Sequence, residues 1–151
     1  MIEIVDYEPK FATAFYELNQ EWILKFFEME PNDFKTLENP KNYILDKGGF
    51  IFVALLDKIP VGVCALLKVS DTEFELSKMA VSPNAQGRNL GQLLVQKSIN
   101  KAIELKLKRL FLDSNSALKT ALHIYSKMGF NYVQGFTSPY KRADVQMEIL
   151  F

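Results

Sequence analysis

A strand, a short polar turn and a helix with small residues at its start follow one another between Glu75 and Val95. Gly87 lies in the turn, and Gly91 lies in what would be the first turn of the helix. Backbone N–H groups at a helix start have no acceptor within the helix, and the helix dipole adds partial positive charge there. Small residues let a ligand come close to that backbone. The segment therefore predicts a cradle for a phosphate-bearing ligand.

Glycine spacing separates this segment from two common phosphate loops. A P-loop needs Lys followed by Ser or Thr after its last glycine, whereas Gln92 and Leu93 follow Gly91. A dinucleotide fingerprint needs a third glycine after a first strand and an acid about 20 residues further on, and this segment lies in mid-chain. Neither pattern fits the segment.

The segment does resemble the acetyl-CoA signature of the GNAT superfamily of N-acetyltransferases: Gln or Arg, two variable residues, Gly, one variable residue, then Gly or Ala. Gln86, Arg88 and Gly91 fit this signature. Asn89 stands where the family usually has its first Gly, and Asn tolerates unusual φ angles better than most residues. The resemblance implies that acetyl-CoA binds here as co-substrate. The residues expected to bind it are Met79, Ala80, Val81, Gln86, Gly87, Arg88, Asn89, Leu90, Gly91 and Gln92.

A second segment, Asp113 to Phe130, resembles the same family's later motif. It has Asn115 after a strand, a short helix that carries Tyr125, and then Gly129 where a helix C-cap belongs. In the family this Asn commonly contacts the pantetheine arm of the cofactor, although an Asn at the end of a strand could also cap the helix. The resemblance extends from roughly residue 50 to the C-terminus, and it is less specific before that.

The resemblance implies an α/β (α+β) fold of the GNAT type. Its centre is a twisted, mixed, mostly antiparallel sheet of about six or seven strands, splayed between strands 4 and 5, with helices on both faces. Apolar runs predict strands over 2–5, 50–56, 59–67, 72–81, 109–113, 131–134 and 144–150. Helical spacing predicts helices over 9–29 and 87–105, with a polar break over 31–40. Residues 1–151 are expected to form a single N-acetyltransferase domain.

Acyl transfer from a thioester to an amine requires the amine to attack unprotonated. An alkyl ammonium group has a pKa of about 10.4, so a positioned carboxylate can help by removing its proton. Glu75 matches the position of the family's best-known catalytic glutamate, and it is the candidate general base; otherwise it is a solvated or scaffold residue. Tyr125 matches the tyrosine that faces the sulfur in the family, and it is the candidate acid for the departing thiolate, or else a core residue. Backbone N–H groups of residues 79–81 would stabilise charge on the thioester oxygen.

The acceptor depends on residues outside the motifs. Glu21, Trp22, Phe26 and Phe27 lie close together in the first helical region, and they could line an acceptor pocket or belong to the core. Arg142 could pair with an acceptor carboxylate or be solvated. The predicted reaction is acetyl transfer from acetyl-CoA to a primary amine, in the first place of a small molecule, by direct attack in a ternary complex. The alternatives are a protein or peptide acceptor and a non-catalytic acyl-CoA-binding module on the same fold.

Composition argues against several other functions. Lys plus Arg and Asp plus Glu number 18 each, so no net charge favours nucleic acid or an anionic membrane. Apolar runs fall well short of the ~20 residues of a membrane helix. Cys64 and His123 are the only residues of their types and show no ligand spacing, so we expect no metal. We expect a cytoplasmic protein, since no export signal is visible, and the apolar residues 147–151 could support a homodimer.

Overall fold

The computed structural model describes all residues from Met1 to Phe151. Seven strands form one sheet in the order β1-β2-β3-β4-β5-β7-β6. The strands are β1 (Ile2–Asp6), β2 (Phe50–Leu56), β3 (Ile59–Lys68), β4 (Glu73–Val81), β5 (Arg109–Ser114), β6 (Asn131–Val133) and β7 (Val145–Leu150). The α-helices are α1 (Ala12–Phe26), α2 (Pro31–Glu38), α3 (Leu90–Glu104) and α4 (Lys119–Lys127). All strand pairs are antiparallel except β4 with β5, so the predicted mixed, mostly antiparallel sheet is confirmed.

Helices cover both faces of the sheet because its central strands are apolar on both sides. On β3, Cys64 packs in the core beneath α3 and α4, whereas its neighbour Val63 packs in the core beneath α1 and α2. Leu94 of α3 belongs to the first core, and Phe15 of α1 belongs to the second. No helix of this structure is both long and apolar enough to cross a membrane.

The main correction to the predicted elements concerns residues 31–40, where helix α2 replaces the predicted break. Pro31 occupies the first turn, and Glu30 and Asp33 form a reciprocal capping box. Only Asp33 and Leu37 of this helix are buried, so its apolar content is too low to give a helical pattern. Lys41–Leu45 then form a single wide π-helical turn.

β4 and β5 separate after a short parallel pairing. Their last paired residues are Glu75 and Phe111, whereas β4 continues to Val81 and β5 to Ser114. Against β3, β4 also carries a bulge at Lys78, whose φ is 53°. A bulge bends its strand and increases the local twist, and this one lies where the two strands move apart. The predicted splay between strands 4 and 5 is confirmed.

Candidate active site

A cavity of about 670 Å³ opens at the gap between β4 and β5. Its walls come from the end of α1, from β4 between Glu75 and Val81, from the start of α3, and from the end of β5 with the first part of α4. This volume is typical of small-molecule sites. The two sequence motifs therefore meet in one place, because the gap lies between the strand that precedes α3 and the strand that precedes α4.

The turn before α3 contains left-handed backbone. Gly87 has a φ of 84°, and Asn89 has a φ of 58° and a ψ of 27°. Asn89 is the N-cap of α3, which begins at Leu90 rather than at Gly87 as predicted. Asn is among the few non-glycine residues that adopt this conformation readily, so it can stand where the family usually has Gly. The predicted residues of this segment line the cavity, except for Arg88, which is exposed outside it.

The start of α3 presents unpaired donors to the cavity. No side chain caps this helix, and its first turn contains no acid. The first bond of the helix runs from the N–H of Leu93 to the C=O of Asn89, which leaves the N–H groups of Leu90, Gly91 and Gln92 without a helical acceptor. Free N–H groups at the positive end of a helix dipole fit a pyrophosphate group.

The edge of β4 adds further donors along the gap. The N–H of Ser82 donates to the C=O of Val61 on β3 at 2.7 Å. Because successive N–H groups of a strand alternate between its two edges, those of Val81 and Met79 face the gap, whereas that of Ala80 faces β3. All three residues line the cavity, but the alternation leaves only two of the three predicted N–H groups available to a ligand there.

Glu75 lines the cavity at the point where β4 leaves β5. It forms no ion pair in this structure. Burial raises the pKa of Glu75 to about 7, the negative charge of Asp113 acts in the same direction, and the positive charge of Lys78 partly offsets both. A carboxylate with this pKa exchanges its proton near neutral pH, as a general base requires.

Tyr125 lies on α4 with its ring edge-on to Phe130, the two ring centroids being 5.8 Å apart. It is a buried residue that lines the cavity. Its hydroxyl forms no hydrogen bond to the protein. Because every fully buried side-chain oxygen in this structure has a hydrogen-bond partner, this hydroxyl is not fully buried, and it is accessible from the cavity. Burial raises the pKa of the phenol above its ordinary value. The hydroxyl is therefore neutral at physiological pH and can donate a proton.

Asn115 connects two loops at the cavity. Its Nδ2 donates to the C=O of Arg142 at 2.6 Å, and its Oδ1 accepts from the N–H of Ala117 at 2.8 Å. The N-cap of α4 is Leu118, so Asn115 does not cap that helix. One N–H and one lone pair of the amide remain for a ligand in the cavity.

Five side chains beside the cavity form what we call the ionic cluster: Glu30, Asp33, Lys78, Tyr140 and Arg142. The carboxylate of Asp33 accepts from both terminal nitrogens of Arg142 and from Nζ of Lys78, each at 2.7 Å. Nζ of Lys78 also donates to the hydroxyl of Tyr140 at 2.8 Å, and Glu30 accepts from Arg142 at 3.4 Å. Burial pushes the pKa of Asp33 up, but the hydrogen bonds from Arg142 and the charge of Lys78 outweigh it and lower the pKa to about 2.

The predicted acceptor residues are distributed in an unexpected way. Trp22, Phe26 and Phe27 line the cavity, and the rings of Trp22 and Phe26 meet edge to face with centroids 5.1 Å apart. Glu21 is exposed and does not line the cavity, because neighbouring side chains on a helix point about 100° apart. Arg142 lines it, but its guanidinium binds Asp33 in place of an acceptor carboxylate.

Two further polar residues of the cavity were not singled out from the sequence. Asn19 is 1% exposed and donates to the C=O of Phe15 at 2.9 Å. Oδ1 of Asp113 accepts from Nε2 of Gln146 at 2.9 Å. A polar residue on the apolar face of α1, and an acid at the end of β5, were the available signals. No group of three or more His, Cys, Asp or Glu side chains in this structure could hold a metal ion.

The fold and this site are those of an acyltransferase with a cradle for a phosphate-bearing co-substrate. A family model described as "Acetyltransferase (GNAT) family" matches residues 12–130. The chain therefore belongs to the GNAT family of acetyltransferases, which confirms the family inferred from the sequence.

Individual relatives agree with this assignment. The uncharacterized N-acetyltransferase YjgM of Escherichia coli (strain K12) is 29% identical over 72 residues, which cover 48% of this chain and only 43% of that protein. An acetyltransferase of the GNAT family from Staphylococcus aureus Mu50 superposes with a TM-score of 0.88, at 19% identity over 98% of both chains. A spermidine N-acetyltransferase from Vibrio cholerae, solved with CoA and spermine, superposes with a TM-score of 0.75 at 21% identity, over 99% of this chain and 95% of that one. At these identities the solved structures show a shared fold.

Proposed function

We propose that this protein transfers the acetyl group of acetyl-CoA to the primary amine of a small molecule, by direct attack in a ternary complex. One observation carries the proposal. The carboxylate of Glu75, with its pKa of about 7, shares a cavity with the neutral hydroxyl of Tyr125 and with the free N–H groups at the start of α3.

Each part of acetyl-CoA has a counterpart among these residues. The first turn of α3, from Leu90 to Gln92, would bind the pyrophosphate through its N–H groups. The N–H groups of Met79 and Val81 would receive the carbonyl oxygens of the pantetheine arm and of the thioester, and the remaining amide hydrogen of Asn115 would reach the same arm. The co-substrate supplies an acetyl group already activated as a thioester.

Proton transfers by this chain's own residues would complete the reaction. Glu75 takes one proton from the ammonium group, and the freed nitrogen attacks the thioester carbon while N–H groups of β4 stabilise the negative oxygen. As the carbon–sulfur bond breaks, Tyr125 gives its proton to the thiolate and regains one from the nitrogen that now forms the amide. Overall, an alkyl ammonium ion and acetyl-CoA give the N-acetyl amide, CoA thiol and one proton, which leaves from Glu75.

The aromatic side chains at the acceptor side of the cavity favour a small acceptor. Trp22 and Phe26 of α1 and Phe27 directly after it lie on one side, and Tyr140 of the loop before β7 lies on another. The ionic cluster ties that loop to α2, which narrows the space available to an extended peptide. The neighbour from Vibrio cholerae is named a spermidine N-acetyltransferase, which supports a small-molecule amine.

The first test is thiol release from acetyl-CoA in the presence of amino acids, polyamines, aminosugars, aryl amines and short Lys peptides, with a no-amine control. Calorimetry with acetyl-CoA alone measures co-substrate binding separately. We expect binding together with thiol release for at least one small amine. Release with the Lys peptides alone would favour a protein acceptor. Binding without release for any amine would favour a non-catalytic acyl-CoA-binding module.

Tyr125→Phe tests the proton donor. This variant keeps the buried ring beside Phe130 and removes only the hydroxyl. We expect kcat to fall about 10² to 10³-fold while the calorimetric affinity for acetyl-CoA stays within about twofold. Equal kcat in the two proteins would remove Tyr125 from the reaction.

A further inference from the structure

Glu75 and Asp113 emerge on the same face of the sheet, on opposite sides of the gap. Glu75 is paired with Phe111 of β5, and residues two apart on a strand share a face, so Asp113 points to the same side as Phe111 and Glu75. Both carboxylates line the cavity. Because β4 and β5 no longer pair beyond this point, the space between the two carboxylates is open to a ligand.

A chain of hydrogen bonds holds Asp113 in its position. Arg109 donates from its second terminal nitrogen to Oε1 of Gln146 at 2.9 Å, and Nε2 of Gln146 donates to Oδ1 of Asp113 at 2.9 Å. Arg109 is itself fixed by Glu148 at 2.6 Å and by Glu73 at 3.0 Å. Gln146 is buried, and because its Oε1 accepts from Arg109, its Nε2 is the atom presented to Asp113.

The other charged side chains around the cavity form no ion pair with either carboxylate, although the charge of Lys78 acts on Glu75. The charged and titratable side chains that line the cavity besides the pair are Lys25, Lys78, Lys119, Tyr125, Tyr140 and Arg142. Lys78 and Arg142 are bound to Asp33, Lys25 lies over the ring of Phe26, and Lys119 begins α4. None of these cations forms an ion pair with Glu75 or Asp113.

We propose that Glu75 and Asp113 bind the acceptor as an aliphatic ammonium ion, with Asp113 as a specificity-determining residue and Gln146 as the residue that positions it. The inference rests on the proposed function, because it gives Glu75 the same role as general base. Two carboxylates that line a gap without an ion-pair partner are matched by a ligand that supplies a cation. Aliphatic amines arrive as cations at neutral pH, whereas aryl amines are neutral there, so the pair favours the aliphatic class.

The two carboxylates divide the work between them. Asp113 holds the ammonium group, while Glu75 accepts one of its protons. The negative charge of Asp113 makes Glu75 a stronger base, because it contributes to the raised pKa of Glu75. Removing Asp113 should therefore weaken acceptor binding and also shift the pH dependence of the reaction.

Calorimetry on the CoA complex tests ammonium binding without any turnover. The probes are n-pentylammonium and the neutral 1-pentanol, and the variants are Asp113→Asn and the matched control Asp71→Asn, an exposed acid paired with Lys68 outside the cavity. We expect the natural protein and the control to prefer the ammonium ion, and Asp113→Asn to lose about tenfold of that preference. An unchanged preference in Asp113→Asn would overturn the proposal.

The pH profile of kcat/KM gives a second readout for an active amine. In the natural protein and in Asp71→Asn, kcat/KM should rise with pH as Glu75 ionises with its pKa of about 7. In Asp113→Asn we expect this limb about one pH unit lower, since a like charge has been removed. A limb at the same pH in both proteins would contradict the proposal. If no amine is acetylated, the proposed function fails, whereas the calorimetric test still decides the binding role of Asp113.

Gln146→Met provides the same test if Asp113→Asn does not fold. It leaves the carboxylate in place and removes the hydrogen bond that orients it. We expect about a threefold loss of the preference for n-pentylammonium, and an unchanged preference would again overturn the proposal.

Discussion

Two groups of charged side chains lie beside one cavity, and they differ in whether their charges are matched by ion pairs. In the ionic cluster, the carboxylate of Asp33 is fully buried and meets Lys78 and Arg142 at 2.7 Å. In the carboxylate pair, Glu75 and Asp113 line the gap between β4 and β5, and neither forms an ion pair with a protein cation, although the charge of Lys78 acts on Glu75. The pKa values diverge accordingly, to about 2 for Asp33 and about 7 for Glu75. Burial raises the pKa of both carboxyl groups, so the opposite shifts result from the charged and hydrogen-bonding groups beside each of them.

This difference in pairing suggests that the ionic cluster stabilises the fold, whereas the carboxylate pair serves the reaction. A matched cluster holds its elements together, because removing one member leaves an uncompensated charge in a buried place. An unmatched carboxylate costs stability in the folded protein, but its proton can be exchanged near neutral pH. The ionic cluster joins α2 and the loop before β7 to β4, which carries Glu75.

Glu75→Gln should give the largest effect and should separate the two groups most clearly. We expect kcat to fall about 10² to 10⁴-fold, because the amine loses its base. The free energy of unfolding at pH 8 should be equal to or higher than that of the natural protein, since a partly buried charge without an ion-pair partner is removed. Steady-state kinetics and urea unfolding measure the two quantities, with Glu104→Gln, on the exposed end of α3, as the control. A large loss of stability would place Glu75 among the structural residues.

Asp33→Asn should have the opposite character. It leaves Lys78 and Arg142 without their shared carboxylate, and we expect a loss of about 3–5 kcal/mol in the free energy of unfolding. Asp46→Asn is the matched control, because Asp46 pairs with Lys41 on the surface, where such pairs contribute less than about 1 kcal/mol. Urea unfolding of the natural protein and the two variants at pH 7 measures these losses. Similar losses in the two variants would mean that the ionic cluster does not stabilise the fold more than a surface pair does.

The two groups were not equally predictable from the sequence. Glu75 was predicted as the base because it matches a position of the GNAT family, and the strand, turn and helix that carry this resemblance are local in the sequence. The ionic cluster was missed because Asp33 and Lys78 are 45 residues apart, and Lys78 and Tyr140 are 62 apart. Local patterns do not report such contacts. Residues 31–38 also have too few apolar positions to show a helix, although Glu30, Pro31 and Asp33 have the spacing of a capping box.

Strand alternation has a similar limit at the bulge. From Ser77 onward, a regular strand would direct Lys78 to the other face of the sheet. Its left-handed backbone instead brings Nζ to Asp33 on the α2 side. A bulge at a lysine has no sequence signal, so neither the cluster nor the course of β4 beyond Glu75 could be predicted residue by residue. Arg142 was predicted either to pair with an acceptor carboxylate or to be solvated, and its pairing with Asp33, 109 residues away in the sequence, was not predicted.

Stability should depend on pH with opposite signs at the two groups. The folded pKa of Asp33, about 2, lies below its ordinary 3.8, so its contribution is present above pH 3.8 and is lost as pH falls toward 2. The folded pKa of Glu75, about 7, lies above its ordinary 4.5, so its cost is absent below pH 4.5 and grows as pH rises to 7. Glu75→Gln should therefore gain on the order of 2–3 kcal/mol relative to the natural protein between pH 4.5 and 8.

Urea unfolding across this pH range measures the difference. The natural protein should have a higher free energy of unfolding than Asp33→Asn, and this difference should shrink as the pH falls from 4 to 2. The difference that involves Glu75 instead grows as the pH rises. If the difference between the natural protein and Glu75→Gln stayed constant from pH 4.5 to 8, the raised pKa of Glu75 would be refuted.

Tyr140→Phe should have the smallest effect, and it tests whether the two groups are independent. The change removes the hydroxyl that accepts from Lys78 at 2.8 Å, but it keeps the ring 4.4 Å from Nζ. Because Asp33 still pairs with Lys78, we expect a loss of only about 1 kcal/mol in the free energy of unfolding. The acid limb of kcat/KM should stay at the pH of the natural protein, since the pKa of Glu75 responds to the charge of Lys78 and this charge remains. A shifted limb would show that the hydrogen bond between Lys78 and Tyr140, and not only the charge of Lys78, affects the pKa of Glu75.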